Sequence, residues 1–255
     1  MGRLPAGMMI LTAAVLLAAA PGLRAQTAPA TPATPTALTI KPDPSGEIRV
    51  LGADGELVSL ALNAHGPQWK HAPQSTATAT STALPGGAGQ KIVGTLPVPN
   101  TDGGALKFTE TLTPLPSGFR VEYEVGVTQA LKLNGLQVSL LLPVARFGGK
   151  ELRIERPEGD PQLATFPVDQ RPDQPGIWGG EGSTLAVAPG TEQAITIELL
   201  APADVVVQDL RQWEQPVFEI RFPALMEESR EIAADDQFHL VLTVTFAAPL
   251  KWAAP

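Results

Sequence analysis

The sequence predicts an all-β chain, built as a large two-sheet antiparallel β-sandwich. The first observation is composition: 24 Gly and 26 Pro among 255 residues are too many for a helical bundle. Inside a helix these residues cost about 1 and about 3 kcal/mol each relative to Ala. The second is periodicity, because apolar residues recur at every other position in short runs, the signature of a half-buried strand. The third is punctuation, since Gly, Pro, Asn and Asp separate those runs. A hydrophobic content of 44% is ordinary for a globular protein.

At the N-terminus Arg3 precedes the uncharged apolar stretch Met8 to Ala20. It is shorter than the roughly 20 apolar residues that span a bilayer and has the form of a secretory leader. Leu23-Arg24-Ala25 supplies a small residue for cleavage, so residues 1–25 read as a signal peptide and the protein as secreted or periplasmic. Residues 26–36, QTAPATPATPT, hold no large apolar side chain and read as a semi-rigid tether. The strand pattern begins at Ala37 and no linker interrupts it, which predicts one sandwich domain over 37–255. The chain has no cysteine, hence no disulfide, thiolate metal site or cysteine nucleophile. Its formal charge of −8 opposes nucleic-acid phosphates.

Ile48 and Val50 alternate with polar neighbours, and Gly52-Ala53-Asp54-Gly55 turns the chain into Leu57 to Leu62 as a hairpin. Leu106, Phe108, Glu110 and Leu112 share a strand face. Pro116-Ser117-Gly118 then leads to Phe119, Val121, Tyr123 and Val125, with Arg120, Glu122 and Glu124 opposite. Leu136, Val138, Leu140 and Leu142 continue the series, as do Leu152 and Ile154. Further strands follow at Ile195–Ile197, Val205–Val207, Phe218–Phe222 and Phe238–Phe246. Ala224 to Ala234 is the one segment that admits a helical turn, and Pro157 to Gly182 is the longest stretch without a strand pattern. Such a strand count exceeds the seven to nine or so of an immunoglobulin-type sandwich.

Continued as a strand, Val205 to Glu214 places Asp209, Arg211 and Trp213 on one face. An indole offers a flat apolar platform, while Arg and Asp offer a donor fork and an acceptor for hydroxyl groups. The same row equally fits an ion pair on a solvated face, with Trp213 packed under a loop. Trp178 beside Gly179-Gly180 is either a ligand platform or an anchor for the long loop. His65, Trp69 and His71 cluster, but no third ligand is placed to make a metal site. Glu110 on an apolar face is either a buried acid with a raised pKa or, the reading favoured, returned to water by a bulge or edge. His239 faces away from the Phe238 and Leu240 row. No nucleophile elbow is present, because Gly180-Glu181-Gly182-Ser183 has the wrong order, and no phosphate-binding glycine loop opens a helix.

Val205 to Phe222 (VVVQDLRQWEQPVFEIRF) and Phe238 to Phe246 (FHLVLTVTF) resemble the closing strands of large β-sandwich domains in secreted bacterial carbohydrate-active proteins. The strand density is similar to the supersandwich of galactose-mutarotase-like domains. The resemblance implies a supersandwich-like fold and a glycan partner. It implies no catalytic residues here, since the His and Glu of a mutarotase match no position. The expectation is a secreted, non-catalytic carbohydrate-interacting or accessory protein with no metal and no cofactor, with Asp209, Arg211, Trp213 and Trp178 binding the ligand. The alternatives are a carbohydrate-active enzyme using Glu110, His239 and Asp209, and a structural envelope protein without a small ligand.

Overall fold

A computed structural model describes residues 37–252; the expected leader and tether lie outside the described residues. Strands account for 64% of the described residues and helical turns for 8%, so the chain is all-β. β1 (Leu38–Pro42) and β2 (Ile48–Gly52) meet through a turn organised by Asp43. Its Oδ1 accepts from the Ser45 amide at 2.8 Å, the Ser45 hydroxyl at 2.6 Å and the Glu47 amide at 3.1 Å. The hairpin expected at Ala53-Asp54 joins β2 to β3 (Gly55–Gly66), with Gly52 opposite Gly55. Gly55 closes it at φ +99°, a conformation that costs glycine little.

β4 (Lys70–Pro73) folds back on the end of β3, and β5 (Thr78–Ala83), β6 (Gln90–Pro97), β7 (Ala105–Leu115) and β8 (Gly118–Val127) form a meander. β9 (Leu131–Pro143) ends in one helical turn, Val144–Phe147. β10 (Glu151–Glu155), β11 (Gln162–Thr165) and β12 (Gly176–Val187) follow, then β13 (Ile195–Asp209), β14 (Val217–Ile232), β15 (Gln237–Phe246) and β16 (Leu250–Trp252). Among the described residues, hydrogen bonding links sixteen strands into one curled sheet rather than two separate ones. Its main path runs β16-β1-β2-β3-β9-β14-β13-β15-β8-β7-β6-β5. All pairs are antiparallel except β1 with β16, which is parallel.

The alternation expected from sequence sets the register. Phe119, Val121, Tyr123 and Val125 of β8 are buried with Leu136, Val138, Leu140 and Leu142 of β9 and Phe218, Ile220 and Phe222 of β14. Burying each such side chain contributes about 1.5–3 kcal/mol, and slipping any strand by one residue would turn the whole set toward water.

Three expectations change. Pro157–Gly182 is not strandless, because β11 and the first half of β12 lie in it. Trp178 to Gly182 pair with Val207 to Ala203 on β13, so the glycines there are strand residues whose lack of side chains hid the pattern. Ala224–Ala234 is mostly strand, since β14 runs on to Ile232 against β9. Glu110 does not return to water: β7 keeps an unbroken register, with Glu110 opposite Ile92 and Tyr123, and the side chain is fully buried.

Candidate functional site

The polar alternates of four neighbouring strands lie on the sheet face opposite the core. Because β3, β9, β14 and β13 pair side by side, Ser59, Leu141, Glu219 and Gln208 form one row across them. Ala61, Ser139 and Arg221 form the next, then Asn63 and Gln137, then His65 opposite Gly135. These rows floor a groove of about 550 Å³, within the range typical of small-molecule sites.

Two hairpin tips supply the rims. The β3–β4 tip carries Trp69 in a 3-10 turn, Pro67–Trp69, and the β13–β14 tip carries Trp213 at the end of another, Leu210–Trp213. Both indoles line the groove and are about half exposed, at 45% and 53%.

The floor's charges are internally matched. Glu219 Oε1 accepts from the Ser139 hydroxyl at 2.6 Å and Oε2 from Arg221 Nη2 at 2.7 Å. The His65 and His71 rings stack with centroids 5.2 Å apart. His71 Nε2 meets Asn63 Oδ1 at 3.1 Å, which requires an N–H on that nitrogen, since an amide oxygen only accepts. Burial lowers the pKa of His65 to about 4, reinforced by His71 and Arg221. His71 is lowered by burial too, with Glu219 opposing. Both imidazoles are therefore neutral near pH 7. Among the described residues no group of three or more His, Cys, Asp or Glu side chains is placed to hold a metal ion.

Of the residues singled out from sequence, only Trp213, His65, Trp69 and His71 line this groove. The extended row of Asp209, Arg211 and Trp213 does not exist, because β13 ends at Asp209 and the chain turns into the 3-10 segment. Asp209 caps that turn, accepting from the Arg211 amide at 3.1 Å. Arg211 Nε reaches both Asp209 oxygens at 2.9 and 3.1 Å, and Nη2 reaches Oδ2 at 2.6 Å. The rest of the guanidinium donates to the Val168 carbonyl at 2.7 Å and the Pro167 carbonyl at 3.1 Å. Burial alone would raise the Asp209 pKa, but the Arg211 contacts hold it below the usual value.

Trp178 sits on β12 away from the groove, its indole N–H donating to Gln162 Oε1 at 2.5 Å. Glu110, His239 and Asp209 do not converge. His239 meets Glu122 at 2.7 Å on an exposed face, and Glu110 accepts from Gln74 Nε2 at 2.7 Å inside the core.

No family model matches the chain. No curated protein matches it in sequence. Among solved structures it is similar to a galactose mutarotase related enzyme from Lactobacillus acidophilus, with 7% identity, a TM-score of 0.48, and 83% of this chain and 95% of that one covered. It is likewise similar to a galactose mutarotase-like protein from Lactobacillus casei, with 10% identity, a TM-score of 0.49 and coverages of 79% and 94%. A third is the 4-alpha-glucanotransferase from Thermococcus litoralis, with 11% identity and a TM-score of 0.44, where 81% of this chain covers 35% of the other.

Asn63, Gln137, Glu219 and Arg221 escaped the sequence reading. Their signal was present as the polar alternates of three long strands whose other alternates are apolar. Which strands lie side by side, and so which polar faces merge, is a matter of topology rather than of local pattern.

Proposed function

We propose that the groove binds carbohydrate and that the protein acts by recognition rather than turnover, as an exported accessory β-sheet protein. The observation that carries this reading is the pair of half-exposed indoles, Trp69 and Trp213, on one groove floored by hydrogen-bonding side chains. Indole faces pack against the apolar C–H face of a sugar ring, while Asn, Gln, Arg and His meet its hydroxyls.

Recognition is favoured over catalysis by the state of the titratable groups. General acid–base work needs a group whose pKa lies near the working pH. Here burial lowers the pKa of His65 to about 4, which leaves its imidazole a weak base, and the Glu219 oxygens already accept from Ser139 and Arg221 instead of standing free toward a ligand. Export rests on the leader read at residues 1–25. N-terminal sequencing of exported material is expected to begin at Gln26, and material that retains residues 8–20 would overturn the export reading.

A glycan array on the wild type, paired with reducing-sugar and mutarotation assays, tests the reading. Binding without turnover is expected, and Trp213→Ala loses about thirtyfold in affinity, or about 2 kcal/mol, as for a buried aromatic anchor. Turnover would replace the reading with an enzyme; an array with no binder would remove it.

A further inference from the structure

Trp69 and Trp213 stand at opposite ends of the groove. The first follows β3 beyond His65, and the second lies beyond Gln208 and Glu219, in line with Ser59 at the far end of that same strand segment. Ser59 to His65 is six residues of strand, about 20 Å at about 3.3 Å each, far longer than one sugar ring. Between the rims the floor offers hydrogen-bonding groups along its whole length, from Ser59, Glu219 and Gln208 through Arg221 to Asn63 and Gln137.

We infer that the groove takes an extended, neutral oligosaccharide several rings long, stacked at its two ends on Trp69 and Trp213. This rests on the carbohydrate reading above and adds the size and charge of the ligand. An extended peptide fits less well. The floor strands β3, β9 and β14 are each paired on both sides over the groove, which leaves no free ladder of backbone groups for strand addition. An acidic glycan fits less well too. Arg221 is already paired with Glu219, Arg49 pairs with Glu47 at the groove edge, and the imidazoles are neutral.

The test is calorimetry of the folded protein with neutral gluco- and galacto-oligosaccharides of one to six units, in both anomeric linkages, and with the matching hexauronates. Affinity is expected to rise at least tenfold from one unit to four or more, with the uronates weaker. Trp69→Ala and Trp213→Ala should each weaken the hexasaccharide about tenfold or more, while a disaccharide should feel only one of them. A monosaccharide that binds as tightly as the hexamer overturns the inference and leaves the carbohydrate reading standing, as does preference for the uronates. No binding by any sugar removes both. The chain-length series on the wild type needs no variant, so the outcome does not depend on how the substitutions fold.

Discussion

Arg211 shows at the scale of one residue how an apparent recognition group can be structural. Its guanidinium joins the buried Asp209 to two carbonyls more than forty residues away in the chain and lies 5.5 Å from the centre of the Phe218 ring. It thereby ties the turn that carries Trp213 to the segment after β11. A lysine cannot reproduce this planar fork and would leave backbone carbonyls and the Asp209 carboxylate with poorer partners. Arg211→Lys is therefore expected to lower unfolding free energy by about 1–3 kcal/mol, measured by urea denaturation. Trp213→Ala, at a side chain 53% exposed, should change stability by no more than about 0.5 kcal/mol. A large loss from Trp213→Ala with none from Arg211→Lys would reverse the two roles.

Individual strands differed in how far the sequence disclosed them, and the reason is physical. β8 and β9 carry large apolar side chains at every second position, so burial of one face was written in their residues. β12 begins Gly176-Ile177-Trp178-Gly179-Gly180, where glycine at three of five positions leaves few side chains to alternate. Its strand state comes from pairing with β13, which no local pattern reports. Of the candidate site, the sequence singled out Trp213 as a ligand contact, though on an extended row that the structure replaces with a turn, and His65, Trp69 and His71 only as a cluster weighed for metal. Its floor was not legible, since Asn63, Gln137 and Arg221 meet only through the order of strands. The revised boundaries have a measurable consequence. Glu158 lies in the exposed connection between β10 and β11, whereas Glu181 is held in β12 opposite Asp204. A glutamate-specific protease under native conditions should cut after Glu158 well before Glu181, because cleavage requires local opening of the backbone. Cleavage after Glu181 first would contradict the β12–β13 pairing.

At the scale of the whole molecule, the buried Glu110 and the partly buried histidines of the groove set opposing slopes of stability with pH. Glu110 is fully enclosed, and its burial raises its pKa from 4.5 to about 8, with repulsion from Asp43 adding to the shift and a hydrogen bond from Gln74 opposing it. Gln74 in turn donates to the Ser45 carbonyl at 3.1 Å and accepts from the Leu62 amide at 2.6 Å. Gly46 packs so closely on this pair that a Cβ there would lie 2.4 Å from Glu110 Oε2. Between pH 4.5 and about 8 the folded protein holds a proton on Glu110 that the unfolded chain has released. Stability therefore falls as pH rises, by up to about 1.4 kcal/mol per pH unit. His65 acts the other way: its pKa is lowered from 6.5 to about 4, so between those values the unfolded chain holds the extra proton and stability rises with pH. His71, lowered by burial as well, adds to the His65 slope, so below about pH 6.5 the two histidines together oppose the Glu110 slope, and above 6.5 only the Glu110 slope remains. The melting temperature of the wild type should accordingly show no decline below about pH 6.5 and should fall from about pH 6.5 to about 8. Glu110→Gln, which keeps the shape and cannot ionise, should abolish the decline and expose the His65 slope as a rise toward pH 6.5. A wild-type melting temperature that stays level from pH 6.5 to 8, or a variant that declines in parallel with it, would show that Glu110 is ionised without cost and that the core around Gln74 is not closed.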